Sequence, residues 1–379
     1  MHWAAIAGVI ATVAVFAIAQ GLTYPLLSFI LERQGASSTM IGLSAAMTPL
    51  GFILSGPVIP SLVRRFGAGG LALFCAGLGA VWLALIGWTQ DVWLWFPLRF
   101  LLGFSINPLY VISETWLITL AHPARRGRLM GIYTSIVSAG FAAGPLTLAI
   151  VGTEGQMPFV VGVVAFLGCA LCLVAVLPRL PDIADAEGEA SVARFVPAAR
   201  LLLFAVLATA AFEQSILSLT AIYARGYGSS EAMTAALLSV LIAGNIALQV
   251  PFGMIAERIG SRKGLLLCAL ACVAGCALLP VLFDTLLIWP LAFVLGAVSF
   301  GMYTMSLIEL GTRFSGSMLI AGNAAFAMFW GIGGIAGPPV TGAFMDVVGI
   351  QGLPLALGTL CVVLAVLQLF TIRRQPLAT

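Results

Sequence analysis

The sequence predicts an all-α membrane protein of about twelve transmembrane helices, arranged as two pseudo-symmetric six-helix bundles. Three observations predict it. Of 379 residues, 61% are hydrophobic and only 8% charged, with a mean hydropathy of +1.12, whereas soluble domains carry about 25% charged residues. Apolar runs of about 20 residues or more, enough to cross a bilayer, follow one another with short polar punctuation. The chain also repeats itself at a fixed spacing. Too few polar side chains exist to coat so apolar a core, so the bilayer must act as its solvent.

Taken in order, the first span is read over about 4–31 and the second over about 39–63. The third to sixth follow at about 71–89, 92–120, 127–151 and 157–177. A polar stretch over about 178–200, with Asp182, Asp185, Glu187 and Glu189, is the one long connection. It is read as a linker between an N-terminal bundle, 1–177, and a C-terminal bundle, 201–379. Spans seven to twelve follow at about 201–223, 232–256, 264–283, 286–312, 317–343 and 353–372. No cleavable leader is expected, because Met1, His2 and Trp3 run straight into an apolar segment too long for a signal-peptide core. The cysteines all lie inside apolar runs, and no His or carboxylate accompanies Cys169-x-x-Cys172 or Cys268, Cys272 and Cys276. They read as small packing residues, with neither disulfides nor a metal.

Sidedness follows from the basic residues. All 17 Lys and Arg except Arg33, Arg99 and Arg225 fall in the even-numbered connections, the linker or the C-terminal tail. The positive-inside rule places these, and both termini, in the cytoplasm, with the chain in a bacterial inner membrane. The net charge of +3 includes no basic run beyond Arg125, Arg126 and Arg128, so nucleic acid is not an expected partner.

The repeat joins Gly35-Ala36-Ser37 to Gly228-Ser229-Ser230, and Arg65-Phe66-Gly67 to Arg258-Ile259-Gly260. It also joins Pro97-Leu98 and Gly103 to Pro290-Leu291 and Gly296. Gly140-x-x-x-Gly144-Pro145 matches Gly333-x-x-x-Gly337-Pro338. Each pair is separated by 193 residues. Such duplication implies two parallel halves with a solute site between them near the bilayer midplane.

Polar groups inside a membrane must face a partner or water. As bounded, spans three, six and nine carry no ionisable residue and read as lipid-facing. The other spans are decorated: Gln20 and Tyr24 in the first, Gln214 in the seventh, Asn245 and Gln249 in the eighth. Tyr303 stands in the tenth, and Asn323 and Trp330 in the eleventh. These, with Asn107 and Tyr110, are the expected substrate-cavity residues. In the fourth span Arg99, Gly103, Asn107, Tyr110 and Glu114 share one face at helical spacing. Arg99 reads as a cavity arginine that pairs with a carboxylate, against snorkelling to the headgroups. Glu114 is read either as a proton-coupling group or as a clasp for Arg125 or Arg126. Glu213, near the middle of the seventh span, stands 193 residues from Gln20. A carboxyl held away from water is a candidate proton carrier. Glu309 reads as a loop clamp.

Gly253-Met-Ile-Ala-Glu257-Arg258-Ile-Gly260-Ser-Arg262-Lys263 resembles the signature Gly-x-x-x-Asp-Arg-x-Gly-x-Arg-Lys of the major facilitator superfamily, with Glu for Asp. The first-half copy keeps Arg65 and Gly67, but has Pro60 for the glycine and Arg64 for the acid. The resemblance implies a conformational latch at Arg65, Gly67, Gly253, Glu257, Arg258, Gly260 and Arg262. Arg99-x-x-x-Gly103 is similar to the family's fourth-helix motif, whose arginine is linked with proton coupling. Gly140, Gly144 and Pro145 resemble the fifth-helix motif of exporters. The recurrence at Gly333, Gly337 and Pro338 is equally explained by close packing and a proline kink. Ser113-Glu114-Thr115-Trp116-Leu117, followed by Arg125-Arg126-Gly127-Arg128, is similar to small bacterial members of unassigned substrate.

These features predict a monomeric secondary transporter without cofactor, working by alternating access on a small molecule and protons. Export of a hydrophobic or amphipathic compound is the first reading, with Glu213, Arg99 and Glu114 in proton coupling. Uptake of a nutrient or metal chelate by the same fold is the alternative, and a non-transporting membrane sensor or assembly partner the reading from another class. An enzyme is not expected: no nucleophile, base and orienting group fall together, and the Gly-rich segments lack a phosphate-binding Lys-Ser/Thr context.

Overall fold

The computed structural model describes residues 3–35, 38–89, 91–181, 183 and 191–373. Asp182, Asp185, Glu187, Glu189, His2, Ala36, Ser37 and Arg374 lie outside the described residues. All regular structure among the described residues is helical: α1 (Trp3–Arg33), α2 (Ser38–Ser55), α3 (Ile59–Phe66), α4 (Ala68–Thr89), α5 (Val92–Leu120), α6 (Arg126–Val151) and α7 (Met157–Val176). After a short α8 (Val192–Ala198) come α9 (Arg200–Gly226), α10 (Glu231–Ile259), α11 (Ser261–Leu282), α12 (Ile288–Arg313), α13 (Gly316–Val348) and α14 (Gly352–Arg373). Eleven described helices are long and apolar enough to cross a membrane, and α2 with α3, taken together as one bent span, makes a twelfth.

That break corrects the expected continuous second span. The chain bends by 62° between Leu43–Ser55 and Ile59–Phe66. Pro57 has no N–H to continue the helical ladder. Pro60, in the first turn of α3, suits a helix start instead. The expected linker also contains structure: α8 buries Phe195, whose ring packs on Phe314 at 4.9 Å.

Two compact units are present. The first comprises Met1–His122, Ile136–Ala198 and Phe314–Met328; the second comprises Pro123–Ser135, Ala199–Arg313 and Phe329–Thr379. The start of α6 therefore belongs with the second unit, and the start of α13 with the first. Within the first unit α4 and α7 leave Phe74, Trp88, Leu167 and Leu171 exposed; within the second α11 leaves Leu267 and Val281 exposed. A bilayer would cover such side chains.

The repeat is written into the packing. A Cβ at Gly103 would fall on the Thr48 carbonyl, and one at Gly296 on the Leu241 carbonyl. Gly140 faces Ala14 and Ala17 of α1, while Gly333 faces Leu207 and Ala210 of α9. Gly144 meets the Gly21 backbone and Gly337 the Ala211 backbone. Each partner also lies 193 residues from its counterpart, except Ala211 against Gly21, which is displaced by about one turn. Small residues let helix backbones approach this closely. Gly67 and Gly260 end α3 and α10 with φ of 71° and 85°, a region only glycine enters readily.

Candidate functional site in each unit

In the first unit, α5 carries the polar stripe into the protein interior. Arg99 is 1% exposed, so it does not reach for headgroups. Its Nη1 donates to Ser44 Oγ at 3.1 Å, and its guanidinium carbon lies 6.0 Å from the Tyr24 ring centroid. Nε has no hydrogen-bond partner. The carboxylate partner expected from the sequence is absent among the described residues: Arg99 pairs with a hydroxyl and a ring. Gln20, Thr23, Tyr24, Thr48 and Arg99 line a small cavity with Leu102, Ile106 and Phe166. Its volume of about 10 Å³ is the space of about one water. Of these residues the sequence singles out Gln20, Tyr24 and Arg99, and not Ser44, Thr23 or Thr48. Serine and threonine are common in spanning helices, where they return a hydrogen bond to their own backbone, as Thr23 does to the Ala19 carbonyl at 2.6 Å.

Further along α5, Asn107 is fully buried. Its Nδ2 donates to the Phe52 carbonyl at 3.0 Å and to Ser55 Oγ at 2.8 Å, which staples α5 to the end of α2 just before the break. Asn107 Oδ1 and Tyr110 Oη are buried without partners. The Tyr110 ring stands edge-on to Phe16 at 4.6 Å. Glu114 is buried on the same stripe. Asn323, from the α13 segment of this unit, donates to Thr115 Oγ1 at 2.9 Å, and its Oδ1 is unpaired.

In the second unit, Glu213 is half-buried near the middle of α9, with Gln214 beside it. Among the described residues Glu213 makes no hydrogen bond or ion pair. The neighbouring Ser215 is tied to Thr341 at 3.0 Å. Gln249, by contrast, is completely buried and fully engaged. Its Nε2 donates to Asn245 Oδ1 and to the Ala297 carbonyl, both at 3.1 Å, and its Oε1 accepts from Thr304 Oγ1 at 2.6 Å. Thr304 in turn contacts Thr134 at 3.1 Å. This knot joins α10, α12 and the start of α6, and it leaves the Gln249 amide no free group for a solute. Tyr303, Phe300 and Trp330 form an aromatic cluster, with Tyr303 and Trp330 edge-on at 5.1 Å.

The signature residues divide. Glu257 Oε1 accepts the Arg128 main-chain N–H at 2.7 Å, and its Oε2 lies 3.7 Å from Arg128 Nη2. Gly253 and Gly127 let α10 and α6 touch backbone to backbone beside it. Arg262 Nε donates to Glu309 Oε1 at 2.6 Å, and Ser261 Oγ to Glu309 Oε2 at 2.6 Å, so Glu309 ties the start of α11 to α12. Arg258 and Arg65 are exposed. In α3, Arg64 occupies the place of the acid, and its Nη2 donates to Ser61 Oγ of the same helix at 3.3 Å.

Comparison with known proteins agrees with this architecture. The chain is 28% identical over 348 residues to the uncharacterized MFS-type transporter YfkF of Bacillus subtilis, covering 88% of this chain and 87% of that protein. It is 23% identical over 325 residues to an uncharacterized MFS-type transporter of Enterobacter, covering 83% and 82%. Among solved structures, the human organic anion transporter MFSD10 superposes with a TM-score of 0.83 at 14% identity, covering 97% of this chain and 99% of that one. The transporter FucP in its outward conformation superposes with a TM-score of 0.79 at 16% identity, covering 96% and 98%. These two show a shared fold. The family model described as the Major Facilitator Superfamily matches residues 9–315 and again 202–379. With its duplicated, multi-pass helical architecture, the chain belongs to the Major Facilitator Superfamily, a family of secondary transporters.

Proposed function

We propose that the protein exports a small amphipathic solute in exchange for protons by alternating access, as a monomer in a bacterial inner membrane with both termini cytoplasmic. The observation that carries the coupling is Glu213: a half-buried carboxyl at mid-helix that makes no ion pair or hydrogen bond among the described residues. An ionised carboxylate in such a place is costly unless compensated, and a proton is the simplest compensation. Arg99 tunes the coupling, with Glu114 on the same stripe. The apolar and aromatic surroundings, including Tyr303 and Trp330, suit a lipophilic body on the solute.

The test is a proteoliposome screen of candidate solutes, with and without a pH gradient, on wild type and Glu213→Gln. The variant should lose gradient-driven flux while binding of the solute stays measurable; unchanged driven flux would remove Glu213 from the coupling. Direction is read from oriented vesicles. Inside-out vesicles acidified within should accumulate the solute, and accumulation confined to right-side-out vesicles would make the protein an uptake carrier.

A further inference from the structure

We infer that the cavity at Arg99 receives the anionic head of the solute, so that the substrate is an organic monoanion with an apolar body. This rests on the transport reading above. Arg99 is buried to 1% exposure, its Nε has no partner, and no carboxylate forms an ion pair with it among the described residues. A guanidinium is permanently charged and offers five donors in a planar fork. Here only Nη1 is engaged, by the neutral Ser44 hydroxyl. A buried charge is retained where something balances it, and among the described residues no acid pairs with Arg99.

The surroundings match an anion. Around the guanidinium the cavity wall presents the Gln20 amide and the hydroxyls of Thr23, Tyr24 and Thr48. All are neutral and none brings a competing negative charge, although the Thr23 hydroxyl is already donated to the Ala19 carbonyl. Leu102 and Phe166 complete the wall and offer an apolar surface. A planar carboxylate matches the fork in two parallel bonds, which a halide or an uncharged amide oxygen cannot do. The space in this structure holds about one water, enough for the leading oxygen of a head group, with the remainder seated as side chains adjust.

The test uses the purified full-length protein in detergent, with thermal stability read by a thiol-reactive dye on the buried cysteines. Acetate, hexanoate, phenylacetate and 2-naphthylacetate are compared with their amides, and with chloride at equal ionic strength. The carboxylates should stabilise wild type increasingly with apolar size, at concentrations at least about tenfold below the matched amides. Arg99→Gln should remove the difference between acid and amide, and Arg99→Lys, which keeps charge without the fork, should weaken carboxylate binding by about tenfold. Where Arg99→Gln does not fold, the acid–amide comparison on wild type decides alone. Equal effects of acids and amides, no effect of any acid, chloride matching the acids, or a preference for acids that survives Arg99→Gln would each overturn the assignment. No proton gradient enters this assay, so failure of coupling at Glu213 and failure of anion binding at Arg99 are read separately.

Discussion

The Glu257 carboxylate accepts the main-chain N–H of Arg128 at 2.7 Å, so a side chain near the end of α10 caps the first turn of α6. The first N–H groups of a helix have no partner of their own, and a negative charge there also meets the positive end of the helix dipole. Glu257→Ala removes the acceptor, the dipole contact and the 3.7 Å pairing with Arg128 Nη2 together. A loss of about 1–2 kcal/mol is expected, read as a lower melting temperature in detergent. Glu257→Gln keeps an acceptor oxygen and should lose less; equal melting of all three proteins would contradict the cap.

Gly253 and Gly127 sit at the same contact, and a Cβ on either would collide with the other's carbonyl oxygen. Backbone cannot yield as a flexible side chain can. Gly253→Val should therefore reduce folded yield and stability by more than about 2 kcal/mol. Gly77→Ala is the matched control, because nothing lies within 4 Å of a Cβ at Gly77. There the helix should gain about 0.4–1 kcal/mol. A Gly253→Val protein that melts with the control would show that α6 and α10 do not press together here.

Removing Gln249 from its knot takes away the acceptor of the 2.6 Å Thr304 bond and the side-chain donors to Asn245 and the Ala297 carbonyl. Gln249→Leu should cost about 1–3 kcal/mol. Thr304→Val in the same background should cost less than it does alone, because the two share a 2.6 Å hydrogen bond. Strict additivity in a double-mutant cycle would dissolve the pair.

At Arg99, Arg99→Ala should impair transport and Arg99→Lys restore it only in part, since an ammonium keeps the charge but not the geometry toward Ser44 and Tyr24. Initial rates of solute flux in proteoliposomes, normalised to protein content, give the comparison. Full activity of Arg99→Ala would make the buried charge incidental.

Helices were legible in the sequence because long apolar runs in a bilayer admit one solution. The read span over 92–120 coincides with α5 (Val92–Leu120), and the repeat spacing reappears in contacts such as Gly103 on Thr48 and Gly296 on Leu241. The break after Ser55 was signalled by Gly56-Pro57 but masked by the apolar residues on either side. The site was less legible. A polar residue within a span reads alike whether it faces a cavity or is consumed by neighbours, as the contrast between Gln20 and Gln249 makes plain. Ser44 carries no signal of its own; its importance arises only because Arg99, 55 residues away, ends beside it.

The two halves differ where they are most nearly the same. Gly56, at the bend between α2 and α3, and Gln249, at the centre of the α10 knot, stand at equivalent places in the duplication. One copy of the second span carries a bend and the other a hydrogen-bonded brace. Among the described residues the first copy thus turns a corner between α2 and α3 while its counterpart α10 runs through as one rod, so the duplicated halves differ in shape where their sequences are aligned.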